Sequence, residues 1–148
     1  MNTHHPSAKK QSGSMLLEGL ISLLLFSIGI LAVVGLQASS VKMVGDAKYR
    51  SDASLLANQL IGQMWASDRT PATLQTDFSS PSGTVYLNWL NSVNADLPGT
   101  TGNEPVVAIA PPVVPTLAPS SVVTVTIYWN APNEPAKAHK YTIVAEII

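Results

Sequence analysis

Hydrophobic positions fall along this chain in three regimes. The first, "MNTHHPSAKKQSG", is polar, short and basic and shows no periodicity, as a leader or a cytoplasmic tail would be. The second begins as an unbroken run. Gly19 to Leu36 are 18 consecutive uncharged residues rich in Leu, Ile and Val, enough at 1.5 Å per residue to cover about 27 Å of a hydrocarbon core near ~30 Å thick. Past Leu36 the apolar positions thin to Val41, Val44, Tyr49, Ala53, Leu56, Leu60 and Met64, mostly three or four apart. Lys42, Asp46, Lys48, Arg50 and Asp52 stand between them, and Asp68 follows. That spacing predicts an amphipathic helix growing out of an apolar one. Leu55, Leu56, Leu60, Ile61, Met64 and Trp65 widen its stripe at the end, where it would pack on a domain.

Proline marks the third regime. The 78 residues from Pro71 onward hold ten of the eleven prolines, and none stands between Pro6 and Pro71, so a long helix can live only in the first half. "VYLNWLNSVNADLPG", Val85 to Gly99, predicts a short helix with Tyr86, Trp89, Leu90 and Val93 on one side and a stop at Leu97-Pro98-Gly99. "PVVAIA", "SVVTVTIYW" and "KYTIVAEII" are β-branched runs with partial alternation, separated by "PPVVPTLAP" and "NAPNEPAKAH". They predict three antiparallel strands that bury one face on the C-terminal half of the long helix. The stretch from Pro111 to Pro119 reads as a rigid connector, or as an extended ligand for a partner. "TPATLQTDFSSPSGT" reads as an exposed face of the domain.

Composition changes this picture little. Charged residues make up 11% of the chain and the AVILMFWYC set 46%, a balance tilted away from ordinary soluble domains, which are nearer ~25% charged. The formal charge of −1 includes no basic block beyond Lys9-Lys10, so no nucleic-acid partner is expected. With no cysteine, disulfides, thiolate metal sites and cysteine nucleophiles are excluded. His4 and His5 lie in the polar tail. His139, at the start of the last strand, reads as a surface residue. No G-x-S-x-G, phosphate-cradling loop or zinc spacing is present. "NADLPGTTGNE", with Asp96 and Glu104, can be drawn as a calcium loop but is a plain turn by composition. The expectation is therefore a chain with no catalytic residues, cofactor or metal.

One charge is out of place. Glu18 stands at the mouth of the apolar run, five residues past Gly13, where a carboxylate costs less than the roughly 3 kcal/mol of the bilayer centre. It marks the membrane boundary, or it waits for a positive partner inside a helical assembly. Lys9 and Lys10 precede the run and no Lys or Arg follows until Lys42, which leaves the N-terminus cytoplasmic and sends the bulk of the chain across the membrane.

Gly13-Ser14-Met15-Leu16-Leu17-Glu18 followed by the apolar run resembles the processing site of type IV pilins and type II secretion pseudopilins. The resemblance implies an α+β pilin fold, a long N-terminal helix packed on a small antiparallel sheet. It also implies that a prepilin peptidase cuts after Gly13, that Ser14 becomes the new N-terminus and is N-methylated, and that Glu18 docks the subunit into a filament. Residues 1–13 would be the cleaved leader, 14–36 the membrane and filament-core half of the helix, 37–70 its amphipathic half, and 71–148 a β-rich periplasmic domain. Ser14 stands where the family usually has phenylalanine, and Gly35 where many major pilins have proline.

Within the superfamily "SIGILAVVGLQ" and "AKYRSDASLLANQLIGQM" are similar to the minor pilins of the type IV pilus modification (PilV) group. That implies a structural role in pilus assembly, with other minor pilins, the major pilin, the inner-membrane assembly platform and the lipid bilayer as partners. Localisation would be the inner membrane and then the pilus. The alternatives are a type II secretion pseudopilin of the I type, which "LLEGLISLLLF" fits equally, a periplasmic binding domain on an uncleaved anchor, and a secreted protein cut near Ala38.

Overall fold

The computed structural model describes residues 12–111, 120–132 and 139–148. Most of the leader, with His4, His5, Lys9 and Lys10, lies outside the described residues. So do nearly all of the Pro111–Pro119 connector and most of the loop before His139. In chain order the elements are α1 (Ser12–Ala66), α2 (Pro71–Phe78), α3 (Thr84–Asp96), β1 (Val106–Ala110), β2 (Ser121–Trp129) and β3 (His139–Ile147). By contacts the chain forms two compact units, Met1–Met43 and Val44–Ile148.

In the first unit the described residues are all helical and exposed. Its polar interruptions are handled locally: the Ser27 hydroxyl donates to the Leu23 carbonyl at 2.7 Å, so that group needs no water.

In the second unit the sheet has the order β1-β2-β3, antiparallel throughout. Alternation along β2 is strict, with Ser121, Val123, Val125, Ile127 and Trp129 buried and the residues between them only partly so. Ala53, Leu56, Ala57, Leu60, Ile61 and Met64 of α1 share one core with that face of the sheet. These positions recur mostly at threes and fours, so a single helix stripe supplies one side of the core. Two polar contacts fix the stripe. The Trp89 indole N–H donates to the Leu56 carbonyl at 2.9 Å, and the Ser54 hydroxyl to the Tyr141 hydroxyl at 3.2 Å.

The result is an α+β pilin-like fold, with three differences from the sequence reading. Leu55 and Trp65 are 69% and 44% exposed, because the buried stripe is narrower than the apolar run and both fall beside it. The helix ends at Ala66, short of residue 70. And "TPATLQTDFSSPSGT" contains α2, whose Leu74 and Phe78 are buried; Pro71 stands at its first turn, where a missing N–H costs nothing.

The turn from α2 to α3 closes on Gly83, where a side chain would run into the Asp77 and Ser79 carbonyl oxygens. Ser80 then covers the edge of β1: its N–H donates to the Val107 carbonyl at 3.2 Å, and its hydroxyl accepts from the Val107 N–H at 3.1 Å. The predicted stop at Leu97-Pro98-Gly99 holds, with Gly99 at φ +69° and its Cα facing the Asn130 side chain. The Asn130 N–H donates to the Pro98 carbonyl at 2.9 Å.

Candidate functional site

The residues that carry the sequence signature sit at the start of α1. Gly13, Ser14 and Glu18 lie in its first two turns, all exposed. A helix with no Pro from Ser12 to Ala66 forms here because Leu and Met are strong helix formers, and the Ser27 hydroxyl bonds back to the helix's own Leu23 carbonyl instead of competing with it. No other group lies within 4 Å of a side chain placed at Gly13, Gly19, Gly29 or Gly35, so the described residues leave this surface open to close approach by another backbone. Glu18 forms no hydrogen bond or ion pair among the described residues.

The apolar surface of this segment is large. Met15 is 78% exposed and Leu31 72%, and the leucines, isoleucines and valines between them are exposed too. Soluble monomers rarely show a continuous apolar patch of this kind. The helix is long and apolar enough to cross a membrane, and none of its apolar window is buried. Phe26, Gly29, Ile30, Val33, Val34 and Gln37 line a groove on it, opened by the missing side chain at Gly29.

In the second unit the structure brings together residues that the sequence reading kept apart. His139 is half-buried and not simply a surface residue. It pairs with Trp129 in the β2–β3 ladder and stacks on its ring, with centroids 5.7 Å apart and planes 16° from parallel. Asp46, Ala47, Arg50 and Lys140 stand around the same cavity. A period-2 strand pattern and a helix pattern locate these residues separately; the signal that could have joined them is that Trp129 ends one strand and His139 opens the next. Asp96 and Glu104 are both exposed, at the end of α3 and before β1. Between them the Thr100 hydroxyl donates to the Asn94 side-chain oxygen at 2.7 Å.

At the far end of α1, Asp68 accepts from the Thr70 N–H at 3.0 Å and from the Thr73 hydroxyl at 3.1 Å. With the Thr70 hydroxyl adding to them, these donors hold its carboxyl below the usual carboxylate range, against a small opposing effect of desolvation. Arg69 donates to the Ile148 carbonyl at 2.9 Å, tying the end of the last strand to the helix α1–α2 junction.

No protein-family model matches the chain, and no solved structure matches it. Among curated proteins, type II secretion system protein I of Klebsiella pneumoniae is similar to it, 29% identical over 92 residues that make up 61% of this chain and 75% of that protein. Taken with the fold, this similarity points to a pilin-like structural subunit.

Proposed function

We propose that this chain is a minor pilin of the type IV pilus, a structural subunit rather than an enzyme, that takes part in initiating pilus assembly after processing by a prepilin peptidase. The observation that carries the reading is a lone carboxylate, Glu18, at the mouth of an exposed apolar helix and five residues past Gly13. Before assembly the helix spans the inner membrane with the second unit in the periplasm. Hydrolysis of the Gly13–Ser14 peptide bond frees an α-amino group, whose ordinary pKa near ~8 leaves it largely cationic at neutral pH. In an apolar bundle that amine and the Glu18 carboxylate of a neighbouring subunit each lack a partner until they meet. Removing one partner of a buried pair typically costs about 3–5 kcal/mol, so the pair sets axial register as subunits dock. N-methylation of Ser14 keeps the amine basic.

A second reading has a specific observation behind it. The similarity to a type II secretion system protein I favours a pseudopilin of that type, with the same processing and helix chemistry serving a secretion filament.

The test is the intact mass and N-terminal sequence of the protein from its native membrane, with Gly13→Ala in parallel. A chain starting at Ser14, one methyl heavier than its sequence, and an uncut Gly13→Ala chain are expected. A chain still starting at Met1 sinks both readings. Glu18→Gln should be cut normally and inserted normally yet be absent from filaments. Deleting the gene in its source organism separates the two readings: loss of surface pili supports the first, loss of protein secretion with pili intact the second.

A further inference from the structure

A cavity of about 340 Å³ opens in the second unit between α1 and the paired ends of β2 and β3, at the small end of the range for ligand sites, roughly 300–1,000 Å³. Asp46, Ala47 and Arg50 line it from one face of α1, and Trp129, His139 and Lys140 from the strands. The register explains the convergence. The Trp129–His139 and Tyr128–Lys140 pairs end the β2–β3 ladder, and Asp46 and Arg50, one helical turn apart, point to the same side.

The chemistry of the lining is mixed. Arg50 and Lys140 bring two cations and Asp46 one anion, and among the described residues none of these three side chains forms a hydrogen bond or ion pair. The stacked Trp129 and His139 rings make a flat wall. Trp129 is 3% exposed, and among the described residues its buried indole N–H has no hydrogen-bond partner, a costly state for a donor. Such a lining fits a group that carries both charges. Arg and Lys donors suit a phosphate, and a carboxylate suits a primary ammonium.

We propose that this cavity receives the headgroup of an aminophospholipid, with the phosphate on Arg50 and Lys140 and the ammonium on Asp46. A lipid is favoured over a soluble zwitterion because only ten residue steps lead from Leu36, the end of the apolar run, to Asp46. At full extension that stretch reaches about 35 Å, so Asp46 cannot stray far from a bilayer that holds the run. The proposal rests on the reading that the first half of α1 lies in a bilayer.

The test uses the full chain in micelles of an uncharged sugar detergent and follows the indole N–H resonance of Trp129. The probes are short-chain phosphatidylethanolamine, phosphatidylcholine and phosphatidylglycerol, with inorganic phosphate as the free anion. A saturable shift with phosphatidylethanolamine is expected. Arg50→Gln or Lys140→Gln should weaken it about tenfold, as loss of one charge-assisted hydrogen bond would. Asp46→Asn should abolish the preference for phosphatidylethanolamine over phosphatidylglycerol. No saturable shift with any lipid overturns the proposal. An equal response to inorganic phosphate reassigns the cavity to a free anion, and an equal response to phosphatidylcholine removes the role of Asp46; either overturns the aminophospholipid assignment. Alkaline carbonate extraction of native membranes keeps the two readings apart. Release of the chain defeats the membrane reading whatever the micelles report, whereas retention with a silent titration defeats the headgroup alone.

Discussion

Leu31 and Leu60 are the same side chain on the same helix, yet Leu31 is 72% exposed and Leu60 0%. Around Leu31 each described residue from Gly13 to Val44 is exposed. Leu60 shares one core with Phe78, Trp89, Val123 and Val125. Helix propensity is similar in the two regions and decides neither. In the second unit the stripe shares its core with side chains from five other elements, all within the chain. In the first unit the apolar surface is just as rich, and the described chain supplies nothing to cover it, which makes the segment a candidate membrane anchor.

The comparison breaks most sharply at the core. Phe78→Ala should cost the second unit about 3–5 kcal/mol and Leu60→Ala about 2–5 kcal/mol, because each leaves a cavity in a close-packed site. Leu31→Ala should leave the same unfolding transition within about 0.5 kcal/mol. Urea unfolding of the full chain in micelles, followed by tryptophan fluorescence, reads all three. A Leu31→Ala transition displaced as far as that of Leu60→Ala would mean that the two regions share one core after all.

Gly83→Ala comes next. The added methyl meets backbone carbonyls of Asp77 and Ser79, which cannot swing away as a side chain would, so a loss of about 1–3 kcal/mol is expected. Wild-type stability in that variant would show that the α2–α3 turn yields freely. Trp89→Phe should lose less, about 1 kcal/mol for the hydrogen bond to the Leu56 carbonyl beside a modest packing loss. Trp89 anchors α3 to the half of α1 that is buried. Amide exchange should therefore quicken around Leu56 and stay unchanged around Leu31; equal quickening at both would dissolve the distinction.

These sites differ in how far the sequence announced them. The strands were legible because β-branched runs alternate and proline brackets them: "SVVTVTIYW" is β2 from end to end. The first two turns of α1 were legible as a motif, since Gly13 and Glu18 need no tertiary context to be recognised. Helix α2 was not legible. Eight residues with only Leu74 and Phe78 facing inward carry too short a period to stand out from a turn, although Thr70-Pro71 was an opening signal. The outward position of Leu55 was hidden for a related reason: an apolar run gives the width of a stripe poorly until its partners are known. The Asp46, Arg50 and Lys140 cavity depends on a β2–β3 register and a helix face meeting in space, which no single-segment pattern encodes.

The smallest effect expected belongs to Asp68, at the exposed end of α1. Its carboxylate takes hydrogen bonds from the Thr70 N–H and the Thr73 and Thr70 hydroxyls, and its pKa is lowered from the ordinary 3.8. A group with a depressed folded pKa adds stability that is fully present above the unfolded value and is lost as pH falls through the folded one. The second unit should therefore weaken as pH drops below about 4 by an increment assignable to this site, and solvent screening keeps that increment small. Asp68→Asn retains an oxygen for the Thr70 N–H but has no proton to gain, so its unfolding midpoint should show a shallower acid slope than wild type between about pH 2 and 5. Identical slopes would mean that the hydrogen bonds at the α1–α2 junction survive protonation, leaving the start of α2 to Pro71 and the burial of Leu74 and Phe78.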